Sequence, residues 1–304
     1  MKSVVFAYHN MGVLGLAKLL QHGFDIPLVF THVNDPKENV WFASVIDFCE
    51  KHSIPWAAPD TPNNPEVIAK IRAHHPDILF SFYYRYMIAS GILEIPPLGA
   101  YNLHGSLLPA YRGRCPVNWV IINGEQHTGV TLHEMVEKPD AGAIVAQEEV
   151  DIRRDDTPVL LYAKLEKAAG EMLDNVLPEI KQGNMRKTPQ DLSKGSYFGG
   201  RRPEDGRIDW NLPALAIYNL IRGVTKPYPG AFCFLADMKV IFWWAHEAQD
   251  RQLNAGRIVC SDEKAIIGAG AGYIEPIEIE VGGKELKGNT MIEFFKKHEG
   301  ELLQ

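Results

Sequence analysis

The feature that most restricts the fold is the order of periodicities in the first 82 residues. Residues 4–7 form a short apolar run, and residues 8–12, ending at Gly12, read as a turn. Residues 13–22 have helical periodicity and stop at Gly23, which supplies the left-handed conformation that helix C-termini favour. Residues 26–31 read as a second strand, 40–52 and 65–75 as amphipathic helices, and 77–82 as another buried strand. Parallel strands need long crossovers, so strands separated by helices imply βαβ units. The expected fold class is α/β, with a Rossmann-like, mostly parallel sheet covered on both faces.

After Gly99 the pattern changes. Residues 100–104 read as a short strand running into Gly105, 116–123 as a helix, 129–135 and 143–150 as strands, and 158–181 as a long helix. Residues 183–206 are polar and interrupted by Gly and Pro, as a linker would be. Beyond them come a short helix over 213–223 and several short strands with Gly turns, the pattern of a small β-rich domain. The expected division is a catalytic domain over 1–203, its linker at 183–203, and a small β-rich domain over 204–304.

Composition excludes some functions. The formal net charge of -7 argues against a protein that grips nucleic acid mainly by neutralising phosphates. Cys49, Cys115, Cys233 and Cys260 lie far apart with no metal-ligand spacing, so neither a disulfide framework nor a metal centre is expected. The opening apolar run is too short for a signal peptide, and no stretch is long enough to cross a membrane. A cytoplasmic protein without membrane insertion is the expectation.

Three places hold chemistry-bearing residues. Gly12-x-x-Gly15 after the first strand is only half of a dinucleotide fingerprint, and a glycine turn opening a helix explains it. Asn102-Leu103-His104 is more informative. On a strand, residues i and i+2 share a face, so the carboxamide and the imidazole project together. They stand at the carboxyl end of a strand, before a Gly- and Pro-containing loop with Arg112 and Arg114. Asp140, between Pro139 and Ala141-Gly142, reads locally as a turn residue or as a carboxylate partner for His104.

Asn102-Leu103-His104-Gly105-Ser106-Leu107-Leu108-Pro109-x-Tyr111-Arg112-Gly113, with Asp140 followed by Ala141-Gly142, resembles the signature of the folate-dependent formyltransferases. The resemblance spans essentially the whole chain and implies an OB-like barrel for the small C-terminal domain. Residues 4–9, 80–85 and 198–203 resemble the branch that formylates UDP-4-amino-4-deoxy-L-arabinose in lipid A modification and polymyxin resistance. Glycinamide ribonucleotide formyltransferases carry a proline where Gly105 stands and lack the second domain. Methionyl-tRNA formyltransferases carry a basic insertion after the second strand, whereas residues 34–39 here are few and mixed in sign. The polymyxin-resistance enzyme has a further fused decarboxylase domain, whereas the sequence here ends at Gln304, as expected either for an excised domain or for a stand-alone sugar formyltransferase.

The resemblance implies 10-formyltetrahydrofolate as co-substrate, no metal, and an amine acceptor that is a UDP-linked amino sugar rather than a nucleic acid. A methionyl-tRNA formyltransferase and a formyltetrahydrofolate hydrolase are the alternative members. It implies Asn102, His104 and Asp140 as catalytic residues. The folate would lie against Tyr86, Met87 and Ile88, against the loop Val136, Glu137, Lys138, Pro139 and Asp140, and near Arg114. For the acceptor's diphosphate the candidates are Gly12 with its neighbours at the first helix N-terminus, and Arg201 and Arg202.

Overall fold

The computed structural model describes residues 1–36 and 39–304; Lys37 and Glu38, part of the stretch compared with the basic insertion, lie outside the described residues. The chain folds into two compact units. The first holds 1–116, 127–151 and 162–199, and the second holds 117–126, 152–161 and 200–304.

The elements of the first half are β1 (Lys2–Ala7), α1 (His9–Gln21), β2 (Asp25–Phe30), α2 (Val45–Lys51), β3 (Trp56–Ala57), α3 (Pro65–His74), β4 (Ile78–Phe82), α4 (Ser90–Leu93) and β5 (Ala100–His104). They are followed by β6 (Arg112–Gly113), α5 (Pro116–Ile122), β7 (His127–Glu134), β8 (Ile144–Asp151), α6 (Pro158–Gln182) and β9 (Tyr197–Phe198). Seven strands form one sheet in the order β3-β2-β1-β4-β5-β7-β8. β2 and β4 flank β1 in parallel, β5 is parallel to β4, and β7 and β8 are antiparallel.

Local chemistry sets the helix boundaries. α3 starts at Pro65, whose fixed φ suits a first helical turn, and the Asn64 side chain accepts from Val67 N at 2.8 Å. α2 starts at Val45 rather than at residue 40, because Ser44 caps it by accepting from Asp47 N at 3.1 Å. Trp41 and Phe42, expected in that helix, pack their rings against His9 instead. α1 starts at His9 rather than at residue 13: Met11 is fully buried, and Gly12 lies against Ala7 and Val45, so packing extends the helix through the expected turn.

The two faces of this sheet are filled separately. On one, Val4, Phe6, Leu28, Phe30, Leu79 and Ala100 meet Val67 and Ile71 of α3, with Phe6 stacked on Phe30 at 4.9 Å. Full burial of each Val, Leu, Ile or Phe side chain among these contributes about 1.5–3 kcal/mol. On the other face α1 approaches closely, since a Cβ at Gly15 would lie 2.4 Å from the Phe82 ring. The stretch expected as a plain linker has structure of its own. Thr188 bridges to Ile144, Leu192–Lys194 forms a 3-10 turn, and β9 pairs in parallel with β6.

The second unit contains α7 (Ala214–Gly223), β10 (Ala231–Leu235), β11 (Met238–Ala248), β12 (Ile258–Cys260), β13 (Ala265–Gly268), β14 (Tyr273–Val281), β15 (Lys284–Lys287) and α8 (Gly288–Lys296). The strands form an antiparallel sheet in the order β10-β11-β14-β13-β12, with β15 beside β14. Gly268 and Tyr273 close a β13–β14 hairpin, so Gly268-x-Gly270-x-Gly272 is a turn. Residues 301–304 stitch the outer strands: Phe234 and Gln304 exchange backbone bonds of 2.7 and 2.8 Å, and Ile258 N donates to Glu301 O at 3.1 Å. Buried Ile217, Tyr218 and Ile221 of α7 share a core with Phe242, Ile274 and Phe295. Segments 117–126 and 152–161 join this unit through Asn118 Nδ2 to Gly223 O at 2.9 Å and Tyr218 OH to Asp155 at 2.6 Å.

Candidate active site

Alternation along β5 places Asn102 and His104 on the face of Ala100, which belongs to the α3-side core. Antiparallel pairing sets Asn102 opposite His133 and His104 opposite Thr131. The loop after β7 carries Asp140 to this face. Its carboxylate meets His104 Nδ1 at 3.7 Å and His133 Nε2 at 3.4 Å, and accepts from Gly113 N at 2.8 Å. Asn102 Nδ2 lies 3.2 Å from His133 Nε2. Asn102, His104 and Asp140 therefore come together, with His133 Nε2 lying between the carboxamide and the carboxylate.

Burial by itself would raise the Asp140 pKa. The charge of His104, the hydrogen bond and charge of His133, and the Gly113 N–H outweigh it and hold the carboxyl well below the ordinary aspartate range. His104 Nε2 faces Tyr111 O at 2.8 Å. A carbonyl only accepts, so Nε2 carries hydrogen and Nδ1 is the nitrogen turned to Asp140. Asp140 has φ 51, a left-handed conformation that Asp tolerates better than most side chains.

The loop after His104 is clamped. Ser106 Oγ donates to Ala110 O at 2.6 Å, Thr131 Oγ1 donates to Ser106 O at 2.6 Å, and Gln147 Nε2 donates to Leu108 O at 2.9 Å. The Asp140 loop is pinned from the other side by Gln190 Nε2, which donates to Asp140 O at 3.0 Å and Gly142 O at 2.6 Å.

The other expected residues fall as follows. Tyr86 and Met87 are exposed, while Ile88 is buried in the α3-side core. Met87 O accepts from Asn63 Nδ2 at 2.9 Å, and Asn63 Oδ1 accepts from Ala89 N at 2.8 Å, so one side chain fixes this segment. Val136, Glu137 and Lys138 are exposed and Pro139 is half-buried. Arg114 is exposed, with its N–H given to Phe198 O at 2.9 Å, whereas neighbouring Arg112 is buried. Gly12 is inside α1 rather than at its start, and its N–H donates to Tyr8 O at 3.0 Å. That amide is spent within the helix; the first turn's leading amides belong to His9, Asn10 and Met11. In the second unit, Arg201 lies over the Trp119 ring at 4.4 Å and donates to Asp205 O at 2.9 Å. Arg202 is exposed, and its backbone N–H donates to Asp205 Oδ2 at 2.6 Å.

Two parts of the site escaped sequence reasoning. His133 is buried, and the signal for it was a polar side chain inside an apolar strand run. The second is an aromatic group at the carboxyl ends of β1 and β4. His9 packs on Trp41, Phe42, Tyr162 and Tyr83 at 4.8, 4.3, 5.2 and 6.3 Å. The strand order reverses between β1 and β4, which is where open α/β sheets form their ligand crevice.

Comparison with known proteins identifies the family. A formyl transferase profile matches residues 2–177, and a formyl transferase C-terminal domain profile matches 201–296. The fold is similar to that of WlaRD, a sugar 3N-formyl transferase solved in the presence of dTDP and 5-N-formyl-THF. That match has TM-score 0.70 and 21% identity over 93% of this chain and 98% of that one. It is also similar to an N-formyltransferase from Helicobacter canadensis in complex with folinic acid and dTDP-3-aminofucose, with TM-score 0.69 and 20% identity over 91% and 98% of the two chains. HypX from Aquifex aeolicus, in complex with tetrahydrofolic acid, matches with TM-score 0.61 and 17% identity over 99% of this chain and 48% of that one. Among the described residues no helix is long and apolar enough to cross a membrane.

Proposed function

The chain belongs to the formyl transferase family, and from that premise we propose that it carries a formyl group from 10-formyltetrahydrofolate to the primary amine of a nucleotide-linked amino sugar. The observation that carries this reading is the Asn102, His104 and Asp140 set at the carboxyl end of β5. The sugar is supported by two similar folds whose proteins are a sugar 3N-formyl transferase and an N-formyltransferase bound to dTDP-3-aminofucose. UDP-4-amino-4-deoxy-L-arabinose is our specific acceptor. It follows the sequence resemblance and would place the enzyme in lipid A modification in the cytoplasm.

The amine attacks the formyl carbon, the carbonyl oxygen becomes an oxyanion, and the C–N bond to folate breaks as that nitrogen gains a proton. Asn102 has two amide hydrogens, and His133 Nε2 can accept at most one of them. The other is free to donate to the oxyanion, an interaction worth about 3 kcal/mol in comparable sites. His104 takes the proton from the attacking amine and returns it to the leaving nitrogen. Asp140, ionised across the working pH range, fixes the ring and stabilises the charge it acquires.

The donor suits the α3 side of β5. There the exposed Tyr86 and Met87 and the chain around Val136 offer apolar surface beside backbone polar groups, the pairing a flat amide-edged pteridine requires. The acceptor suits the aromatic crevice on the α1 side. Arg201 and Arg202, which precede the C-terminal domain over 204–304, remain our candidates for its diphosphate, and that domain supports rather than performs the chemistry.

Parallel assays with UDP-4-amino-4-deoxy-L-arabinose, a dTDP-linked amino sugar and methionyl-tRNA test the reading. Turnover on a nucleotide sugar with little dependence on salt is expected, because a diphosphate needs only a few directed donors. Faster formylation of the tRNA at physiological salt would overturn the acceptor, and formate release without any amine would indicate a hydrolase.

A further inference from the structure

We infer that Tyr83 is an acceptor-positioning residue, and that Gly105 is what admits it to the site; the inference rests on the formyl transfer to an amino sugar proposed above. Gly105 directly follows His104. Alternation from Asn102 and His104 turns position 105 to the opposite, α1 side of the sheet. A Cβ there would fall 2.2 Å from the Tyr83 hydroxyl oxygen, 3.3 Å from its ring carbon Cζ and 3.7 Å from Pro116 Cγ. The hydroxyl, rather than the ring, fills the volume that a side chain at 105 would need.

Tyr83 is placed there by more than its own rotamer. Its backbone has φ 58, a left-handed conformation that is uncommon for an aromatic residue and concentrates at ligand sites. Its ring is flanked by His9 at 6.3 Å and Tyr162 at 6.2 Å. Trp41, Phe42, Tyr83 and Tyr162 each keep part of their surface open to solvent. Partly open aromatic rings are the kind of wall on which a sugar ring or nucleobase stacks, with a phenol tip to read one polar group.

The donor-side segment is on the other face, since Ile88 and Tyr84 pack with the α3-side core. The phenol is thus a polar group beside Gly105, one residue from His104, on the side where we place the acceptor. It can donate to or accept from a hydroxyl or the amine of the bound sugar, setting the nitrogen's approach to the formyl carbon.

The test is a cycle of Tyr83→Phe, Gly105→Ala and the double variant, with kcat and separate KM values for donor and acceptor. Gly105 has no left-handed φ, so alanine there tests space alone. Tyr83→Phe should raise the acceptor KM about ten-fold, the effect of one lost hydrogen bond, with the folate KM within about two-fold. Gly105→Ala should do the same by displacing the hydroxyl. The double variant should be no worse than either single one, because phenylalanine leaves no oxygen in the way. Additive effects, or equal changes in donor and acceptor KM, would overturn the inference while leaving amino-sugar formylation intact. Tyr83→Phe keeps the ring, so its KM split decides the matter even where Gly105→Ala misfolds. A wild-type enzyme that formylates no nucleotide-linked amino sugar would overturn the functional reading, and the acceptor role with it.

Discussion

Gly142→Ala should disable catalysis without touching any catalytic side chain. A Cβ at 142 would lie 2.0 Å from Glu134 O, so the chain must move by roughly 1 Å merely to reach 3.0 Å, the closest approach that real Cβ atoms show. The obstacle is backbone of the β7–β8 pair, which cannot rotate away. On the other side Gln190 pins Asp140 O and Gly142 O, so the strain passes along the loop to Asp140. The Asp140 carboxylate works at 2.8 Å from Gly113 N and 3.7 Å from His104 Nδ1, and a shift of this size takes both beyond useful range. Misplacement by about 1 Å can cost about 10²-fold in rate, or about 2.7 kcal/mol of transition-state stabilisation. Overpacking should also cost about 1–3 kcal/mol of stability. Steady-state formyl transfer beside a urea melt measures both, with Gly91→Ala as control because a Cβ there meets nothing within 4 Å. A Gly142→Ala enzyme folded at the assay temperature and within three-fold of wild-type kcat would refute this account of how Asp140 is held.

Asn102→Ala should lower kcat by about 10²–10³-fold and His104→Ala by about 10²–10⁴-fold, with folate binding, followed by fluorescence quenching, little changed. Asp140 also predicts the acid behaviour. Its folded pKa is depressed, so its stabilising contribution is complete above the ordinary aspartate value near 3.8 and is lost as pH falls below it. The gap in urea stability between wild type and Asp140→Asn should therefore be widest near neutral pH and narrow toward about pH 3; parallel pH profiles would contradict the depressed pKa. Burial pushes the Cys233 thiol up to about 12 and, with Glu50 adding, the Cys49 thiol up to about 11. In the native protein an alkylating reagent near pH 8 should label the partly exposed Cys115 and Cys260 and spare the other two. Rapid modification of Cys233 would show that the core of the second unit opens readily.

What could be read in advance follows the range of each interaction. Asn102 and His104 share a face because strand alternation is local, and a residue pair two apart carries it wholly within the sequence. Asp140 lies thirty-six residues beyond His104; its pairing with His104 stood beside a plain turn reading, and only the resemblance to a known signature favoured it, since no local rule folds that loop back over β5. His133 depends on register. It stands opposite Asn102 because β5 and β7 are antiparallel, and pairing partners are set by the whole sheet. The early start of α1 and the late start of α2 share one contribution beside the Ser44 cap and the burial of Met11. His9, Trp41 and Phe42 pack their rings on one another, and such packing overrides turn and helix propensities. The segment over 183–199 looked like linker because its composition is polar, yet it holds β9 and Gln190, whose partners are main-chain groups that composition does not disclose.

The stitch made by residues 301–304 bears on how this protein meets its own copies at high concentration. β10 and β12 are the outer strands of the sheet, and an uncovered outer strand is a row of unused N–H and C=O groups that another chain can adopt as a template. Here Gln304 covers Phe234 on β10, and Glu301 covers Ile258 on β12, through a few backbone bonds from a single short segment. Core packing is spread over many side chains, but cover at Phe234 and along β12 is concentrated in that one place, while Phe232 on β10 is covered separately by Ile208 N at 2.7 Å. Fraying of the segment would leave the interior almost undisturbed while baring Phe234 and Ile258 at once, so strand exchange between molecules and the onset of insolubility should precede any loss of the folded core.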